Sequence, residues 1–304
     1  MLRNYLNYAG SKDRYYPLIQ EQLKRAIGRK KRGKYLVDMF CGSAVVAFNS
    51  IDMFEYVIAF DKVKELIGIH TYILYTPTEE LLKDIHGIID SYGLSKTNKE
   101  GFLKLREFYN SCKIGEQEVA GNLSAYLYCL ITHSFNYSLH LNKKGEFNAP
   151  AGTNRSYFSP ALEKKLIAYK NFMDERVGKT SHILYATMDL LQNDSFLNED
   201  EFKDVVFFID PPYSASISKH PYRIGNLKWT EDDDRRLFEY MNKINELGSK
   251  FVFTNVFENN GIQNLPLQEW SKGYHVQHVN VDYTNCNYQR LNKGNTDEVI
   301  ITNF

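Results

Sequence analysis

The chain has 304 residues, room for one large domain or for a domain carrying a sizeable insertion. Its 43% hydrophobic and 24% charged residues are ordinary for a globular protein, and no apolar run approaches the roughly 18 residues of a membrane span. Lys+Arg and Asp+Glu both number 37, so there is no global basic signature, and Cys41, Cys112, Cys129 and Cys286 lie too far apart for a disulfide framework or a zinc site.

Met1-Leu2-Arg3-Asn4-Tyr5 lacks the apolar core of a signal peptide, so a cytoplasmic protein is expected. Asn7-Tyr8-Ala9-Gly10-Ser11-Lys12 is a small turn before a helical pattern at Leu18, Ile19, Gln22 and Leu23. Free N–H groups at a helix start, with Lys12 beside them, suit a carboxylate or phosphate. Gly28 to Lys34 is the densest part of a basic N-terminal stretch. It reads equally as a phosphate contact or as a solvated helix end and loop.

Tyr35 to Phe40 is a short strand. It runs into Cys41-Gly42-Ser43-Ala44 and a second helix from Val45. A second strand, Tyr56 to Phe60, ends in Asp61, 19 residues after Gly42. Strand, glycine turn, helix and a following acid open a nucleotide-binding βαβ unit, in which the acid is placed for ribose hydroxyls. Asp38, at the end of the first strand, is a further acid on that edge. No full G-x-G-x-x-G is present, which favours a smaller adenosine cofactor over a dinucleotide.

Residues 63–159 read as a mostly helical block, with helices at Lys64–Tyr75, Glu79–Tyr92, Glu100–Asn110 and Asn122–Thr132. It ends in a β-hairpin about Asn142-Lys143-Lys144-Gly145. Asn136, Ser138, His140, Asn142, Lys143, Lys144, Asn148 and Pro150 on this hairpin are side chains able to meet bases or phosphates, as would those of a plain surface hairpin. A helix from Leu162 to Met173 and a strand from His182 to Thr187 follow, then Met188-Asp189-Leu190.

Val205-Val206-Phe207-Phe208-Ile209 is apolar at every position, as expected of a strand in the middle of a parallel sheet. It delivers Asp210-Pro211-Pro212-Tyr213 to the carboxyl edge, where open α/β sheets bind ligands. One acceptor carboxylate, two stiff prolines and an aromatic face suit a planar base with an amino group. Residues 214–228, with Lys219, His220 and Arg223, are polar and long enough for a lid. A helix capped by Thr230 runs to Leu247, Lys250 to Asn255 is a strand, and strands at Val276–Val281 and Glu298–Thr302 finish the sheet. His275 and His278 read as structural. The fold class expected is α/β: a Rossmann-like sheet with helices on both faces, formed by 1–62 and 160–304, with 63–159 inserted.

Taken together, Tyr8-Ala9-Gly10-Ser11-Lys12, Asp38 to Ala44, Asp61, Lys143 to Pro150 and Asp210 to Tyr213 resemble the Dam-type, D12 class DNA adenine-N6 methyltransferases. Leu247 to Val256, Glu269-Trp270-Ser271-Lys272 and Asn295 to Val299 look like phage members of that family, and the resemblance covers nearly the whole chain. It implies a methyltransferase sheet with S-adenosylmethionine as donor and an inserted target-recognition subdomain. Tyr8 and Lys12 would hold the cofactor's methionine end. Asp38, Phe40 and Gly42 would line its pocket, Asp61 would bind its ribose, Asp189 and Leu190 would lie near its adenine, and Asp210 would contact it as well as the target base. Double-stranded DNA is the implied partner, with a cognate restriction endonuclease as a further one. The setting would be the cytoplasm, or a host's cytoplasm for a phage-encoded chain; no metal is implied.

The implied chemistry is direct transfer to a flipped adenine. Asp210 and the Pro211 carbonyl would accept the N6 hydrogens, and Tyr213 would stack on the ring. Cytosine-C5 transfer is disfavoured, because none of the four cysteines follows a proline. Two positions depart from the pattern. Members that read GATC carry Arg where this chain has His140, and usually Leu where it has Ser138. Arg is the bidentate reader of guanine, so a site other than GATC is expected. Ala44 stands where a second glycine is common. Alternatives are methylation of RNA adenine or protein glutamine, whose enzymes more often begin the tetrapeptide with Asn, and a non-catalytic DNA-binding relative.

Overall fold

A computed structural model describes residues 1–7, 10–118, 121–189, 191, 198–213, 223–224, 227–279 and 296–304. Tyr8, Leu190, Lys219, His220 and Cys286 lie outside these residues. The chain begins with α1 (Tyr16–Ile27), β1 (Gly33–Asp38), α2 (Val45–Asn49) and β2 (Phe54–Asp61). Four helices follow: α3 (Lys64–Tyr75), α4 (Thr78–Tyr92), α5 (Lys99–Lys113) and α6 (Leu123–His133). Then come α7 (Pro160–Asp174), β3 (His182–Thr187), α8 (Glu199–Phe202), β4 (Val205–Ile209), and the short pair β5 (Arg223–Ile224) and β6 (Leu227–Lys228). The chain closes with α9 (Glu231–Glu246), β7 (Lys250–Asn259), β8 (Ile262–Gln263), α10 (Leu265–Trp270), β9 (His275–Val279) and β10 (Thr296–Thr302).

The main sheet runs β3-β2-β1-β4-β7-β10-β9, with β8 paired to β7. The strands from β3 to β7 are parallel, and β10 is antiparallel to both of its neighbours. Helices cover both faces, as expected. Leu36, Val57, Ile183, Val206, Phe208 and Val252 point to one face and share a core with α1, α2, α3 and α7. Val37, Phe207, Ile209, Phe251 and Phe253 point to the other and pack on Leu237, Met241 and Ile244 of α9. All five residues of β4 are buried because alternate side chains enter different cores. Burying each such side chain contributes about 1.5–3 kcal/mol.

Helix α9 starts where Thr230 and Asp233 form a capping box, and stops at Gly248, whose φ of 82° closes the helix end. α4, α5 and α6 stack on one another, and α6 packs on α3, which also lies against β2 and β3. One hydrophobic cluster therefore runs from the sheet into the 63–159 block. The expected hairpin is present, but its ladder is reduced to isolated bridges, Ser134 with Ala151 and Leu141 with Phe147. Asn136 and Tyr137 adopt left-handed φ of 55° and 54°, which breaks the extended run. Among the described residues no helix is long and apolar enough to cross a membrane.

Candidate functional site

The order β3-β2-β1 on one side and β4-β7 on the other puts the reversal of strand order between β1 and β4. Open α/β sheets bind ligands outside the carboxyl ends of the strands at such a point. Asp38 ends β1 and Asp210 follows β4. A cavity of about 380 Å³ opens there, lined among others by Lys12, Asp38, Phe40, Gly42, Asp61, Asp210, Pro211, Pro212, Tyr213 and Trp229. Five residues expected from the first half of the sequence thus meet the four of the tetrapeptide, in a site that spans the chain from Lys12 to Tyr213.

Asp210 is held from two sides. Thr254 Oγ1, one residue beyond the Ile209–Phe253 register pair of β4 and β7, donates to Oδ1 at 2.8 Å. Lys12 Nζ lies 2.6 Å from Oδ2, with both side chains 17% exposed. Burial pulls the Lys12 ammonium down, but the Asp210 carboxylate outweighs it and holds Lys12 above its ordinary value. Burial pushes the Tyr213 phenol up, against the pull of Lys12.

The glycine turn is fixed by Asp61. Its Oδ2 accepts Gly42 N–H at 3.0 Å and its Oδ1 accepts Val63 N–H at 2.8 Å. Burial raises the Asp61 carboxyl above its ordinary value, and those two N–H groups work against the rise. Asp38 is 1% exposed and is raised by burial, then by the Asp210 and Asp61 charges. Its Oδ1 has no hydrogen-bond partner. Ala44, in place of a glycine, sits at φ 57°, a left-handed conformation that costs an L-residue about 1–2 kcal/mol. Asp189 pairs with Lys62 at 2.8 Å, and it is Lys62 that lines the cavity.

The hairpin alternates in and out. Leu139, Leu141, Phe147 and Ala149 are buried, while Asn136, His140, Lys143, Lys144, Asn148 and Pro150 are exposed. His140 Nδ1 is bonded to Asn148 Oδ1. Half-buried Ser138 donates to Phe135 O at 2.8 Å. Half-buried Asn142 holds the turn, accepting the N–H groups of Lys144 at 2.9 Å and Glu146 at 3.0 Å. Its side chain is therefore already engaged within the hairpin.

The basic run reads differently in the fold. Gly33 begins β1, so residues 29–33 sit at the amino edge of the parallel strands, opposite the cavity. Arg32 donates to Thr180 O at 2.7 Å, Ile51 O at 3.0 Å, Ser181 Oγ at 2.6 Å and Phe54 O, while Lys30 pairs with Asp204. A phosphate contact shared with the hairpin is not what this edge provides: Arg32 ties loop carbonyls together, and the solvated-end reading holds for its neighbours.

Three residues were missed from the sequence. His70, fully buried in α3, has Nε2 at 2.7 Å from Gly42 O and Nδ1 at 2.5 Å from Tyr5 Oη. An isolated His on a helical face gives no local signal for this. Trp229 is 4% exposed, stands edge-on to Phe40 with centroids 5.3 Å apart, and donates to Asp234 at 2.7 Å. Thr254 was within reach of the strand-edge rule, since it ends the apolar part of the strand beside β4.

Comparison with known proteins agrees with this geometry. Residues 8–285 match the model of the D12 class N6 adenine-specific DNA methyltransferases. The chain is 30% identical over 315 residues to the type II methyltransferase M.FokI of Planomicrobium okeanokoites, covering 100% of this chain and 43% of that protein. It is 29% identical over 310 residues to the modification methylase StsI of Streptococcus sanguinis, again covering 100% and 43%. It is 28% identical over 233 residues to the DNA adenine methylase of Salmonella typhi, covering 75% and 72%. The chain thus spans less than half the length of M.FokI and StsI. The ordered glycine turn, hairpin and Asp-Pro-Pro-Tyr edge, with the match over residues 8–285, make this chain a member of the D12 class of N6 adenine-specific DNA methyltransferases.

Proposed function

We propose that the protein moves a methyl group from S-adenosylmethionine to N6 of an adenine flipped out of double-stranded DNA. The observation that carries the reading is Asp210, an acceptor carboxylate fixed at the strand-order reversal, with the Pro211 carbonyl beside it and the Tyr213 ring on the same cavity. The cavity suits the cofactor. The unpartnered buried Oδ1 of Asp38 fits an ammonium donor such as the methionine end, and Phe40 and Trp229 supply apolar walls for a purine. Asp61 keeps one lone pair on each oxygen for ribose hydroxyls after its two N–H bonds. Asp189 reaches this region through Lys62.

When bound, the cofactor supplies an electrophilic methyl on a sulfonium. The chain's own residues do the rest. Asp210 Oδ2 has a lone pair beyond the one Lys12 uses, and with the Pro211 carbonyl it accepts the two N6 hydrogens. That draws N6 out of conjugation with the ring and aims its lone pair. Asp210 limits positive charge on N6 during transfer, and the amine's surplus proton leaves toward that carboxylate. Tyr213 stacks on the base. The exposed hairpin residues Asn136, His140, Lys143, Lys144, Asn148 and Pro150, with half-buried Ser138, face DNA, and Asn142 holds their turn. A cognate restriction endonuclease is the further partner suggested by relatives named modification methylases.

Asp210→Ala tests the reading. Single-turnover methyl transfer to duplex DNA, measured at saturating cofactor, should fall by about 100-fold or more, the scale of removing one electrostatic contact to the transition state. A near wild-type rate would refute it. Methyl acceptance by RNA or a glutamine peptide in preference to duplex DNA would replace the substrate.

A further inference from the structure

Helix α5 carries no residue of the cavity, yet it holds the hairpin by three different contacts. Phe147 is fully buried, with its ring 6.5 Å from that of Phe102 and 6.4 Å from that of Tyr109. The Asn110 side-chain amide pairs with the Phe147 backbone in both directions: Nδ2 donates to Phe147 O at 3.0 Å, and Phe147 N–H donates to Oδ1 at 2.8 Å. Phe147 bridges Leu141 within the hairpin, and the Asn110 amide takes up the Phe147 backbone N–H and C=O that this bridge does not use. Lys113 Nζ donates to Gly145 O at the turn and to Glu65 Oε1 at 2.6 Å, with side chains 17% and 10% exposed. Residues 102, 109, 110 and 113 share one stripe of the helix.

Glu65 gives the clamp a second end. It lies in the first turn of α3, four residues after Asp61, whose carboxylate holds both the Gly42 turn and the Val63 N–H at the start of that helix. A continuous line of hydrogen bonds and one helix turn therefore runs from the cofactor turn through Asp61, Val63, Glu65 and Lys113 to Gly145. Phe147 and Gly145 sit on the hairpin whose outward side carries His140 and Asn148.

We propose that Asn110 and Lys113 are positioning residues for target selection, fixing the hairpin's outward side chains, and that the Glu65–Lys113 bridge couples occupation of the cavity to the order of the hairpin. Neither residue lines the cavity. The first half rests on the DNA-methylation reading, and the second rests only on its cofactor part, S-adenosylmethionine in the cavity, and needs no DNA.

Two measurements separate the halves. In the first, Lys113→Met and Asn110→Ala should raise the KM for DNA about tenfold, the scale of losing a charge-assisted or doubly made hydrogen bond, and narrow the ratio of cognate to near-cognate methylation. At saturating DNA, kcat and the Kd for S-adenosylmethionine should stay near wild type, and Lys113→Arg should restore the ratio. A kcat loss with the selection ratio intact would overturn the positioning role. In the second, hydrogen exchange follows residues 140–148 with and without S-adenosylmethionine. Cofactor should slow exchange at the Gly145 and Phe147 amides of the wild type and not of Lys113→Met or Glu65→Gln. Equal protection in all three overturns the coupling. Thermal melts identify a variant that fails to fold, in which case Lys113→Arg and Glu65→Gln carry the test. A wild type that methylates no DNA would defeat the proposed reaction, while the exchange experiment would still read the clamp.

Discussion

Moving from pH 7 to pH 5 should weaken the fold through His70. A carbonyl can only accept, so Nε2 carries the hydrogen that goes to Gly42 O, and Nδ1 accepts from the Tyr5 hydroxyl. Protonation would add a second hydrogen at Nδ1 and place a charged imidazolium inside a site that is 0% exposed. Burial therefore lowers the imidazole to about 4 from its ordinary 6.5, and the Gly42 hydrogen bond only partly opposes this. Between those values the unfolded chain binds more protons than the folded one, so stability rises with pH. The contribution is fully present above about pH 6.5 and is lost as pH falls toward 4. A depression of this size corresponds to about 3 kcal/mol at the limit, of which about 2 kcal/mol disappears between pH 7 and pH 5.

Urea unfolding at pH 7, 6 and 5 measures this, with His70→Gln as the reference. A glutamine amide can donate to Gly42 O and accept from Tyr5 without titrating. His133, also lowered by burial, titrates in the same direction in both proteins and cancels in the comparison. The wild type should lose about 2 kcal/mol more than His70→Gln over that range. Identical pH dependence in the two would refute the assignment of a neutral, turn-bracing His70.

Arg32→Ala should cost about 2–3 kcal/mol in urea unfolding, because it removes the guanidinium that joins the carbonyls of Thr180, Ile51 and Phe54, of which Ile51 O keeps the Ser181 hydroxyl; a loss under about 0.5 kcal/mol, the worth of a surface charge, would show that Arg32 joins nothing. Lys143→Ala and Lys144→Ala should each lower the salt dependence of DNA binding by about one phosphate contact, whereas Arg29→Ala and Lys31→Ala, on the opposite edge of the sheet, should leave it unchanged; a lower slope in the second pair would return the basic run to the DNA interface. DNA from cells expressing the protein should remain open to methylation-sensitive digestion at GATC, since His140 cannot form the bidentate guanine contact of an arginine; full protection would overturn that reading of the hairpin.

Much of the fold was legible because its signals are local. α3 and β3 fall on the residues expected, and the ends of α9 follow from Thr230 and Gly248. The candidate site was legible where the strand-edge rule applies: Asp38, Gly42, Asp61 and Asp210 each close or follow a strand of the parallel sheet. What was not legible depends on register between distant segments. Thr254 reaches Asp210 only because Phe253 pairs with Ile209, and His70 reaches Gly42 only because α3 lies back over the glycine turn. The basic run at 29–34 looked the same for either use. Its meaning came from strand direction, which places residue 33 at the amino end of β1 and the cavity at the carboxyl end.

The same register bears on the acceptor role proposed for Asp-Pro-Pro-Tyr. A carboxylate without fixed partners on the cavity wall beside Asp38 and Asp61 would be free to turn to solvent. Here Thr254 fixes Oδ1, Lys12 balances Oδ2, and two prolines hold the backbone that carries the neighbouring carbonyl. Oriented acceptors of this kind need no rearrangement when an amino group arrives, and in a reaction governed by in-line geometry that preorganisation is a major source of rate. The tetrapeptide supplies the functional groups. β7 and the N-terminal turn, both remote in sequence, supply their orientation.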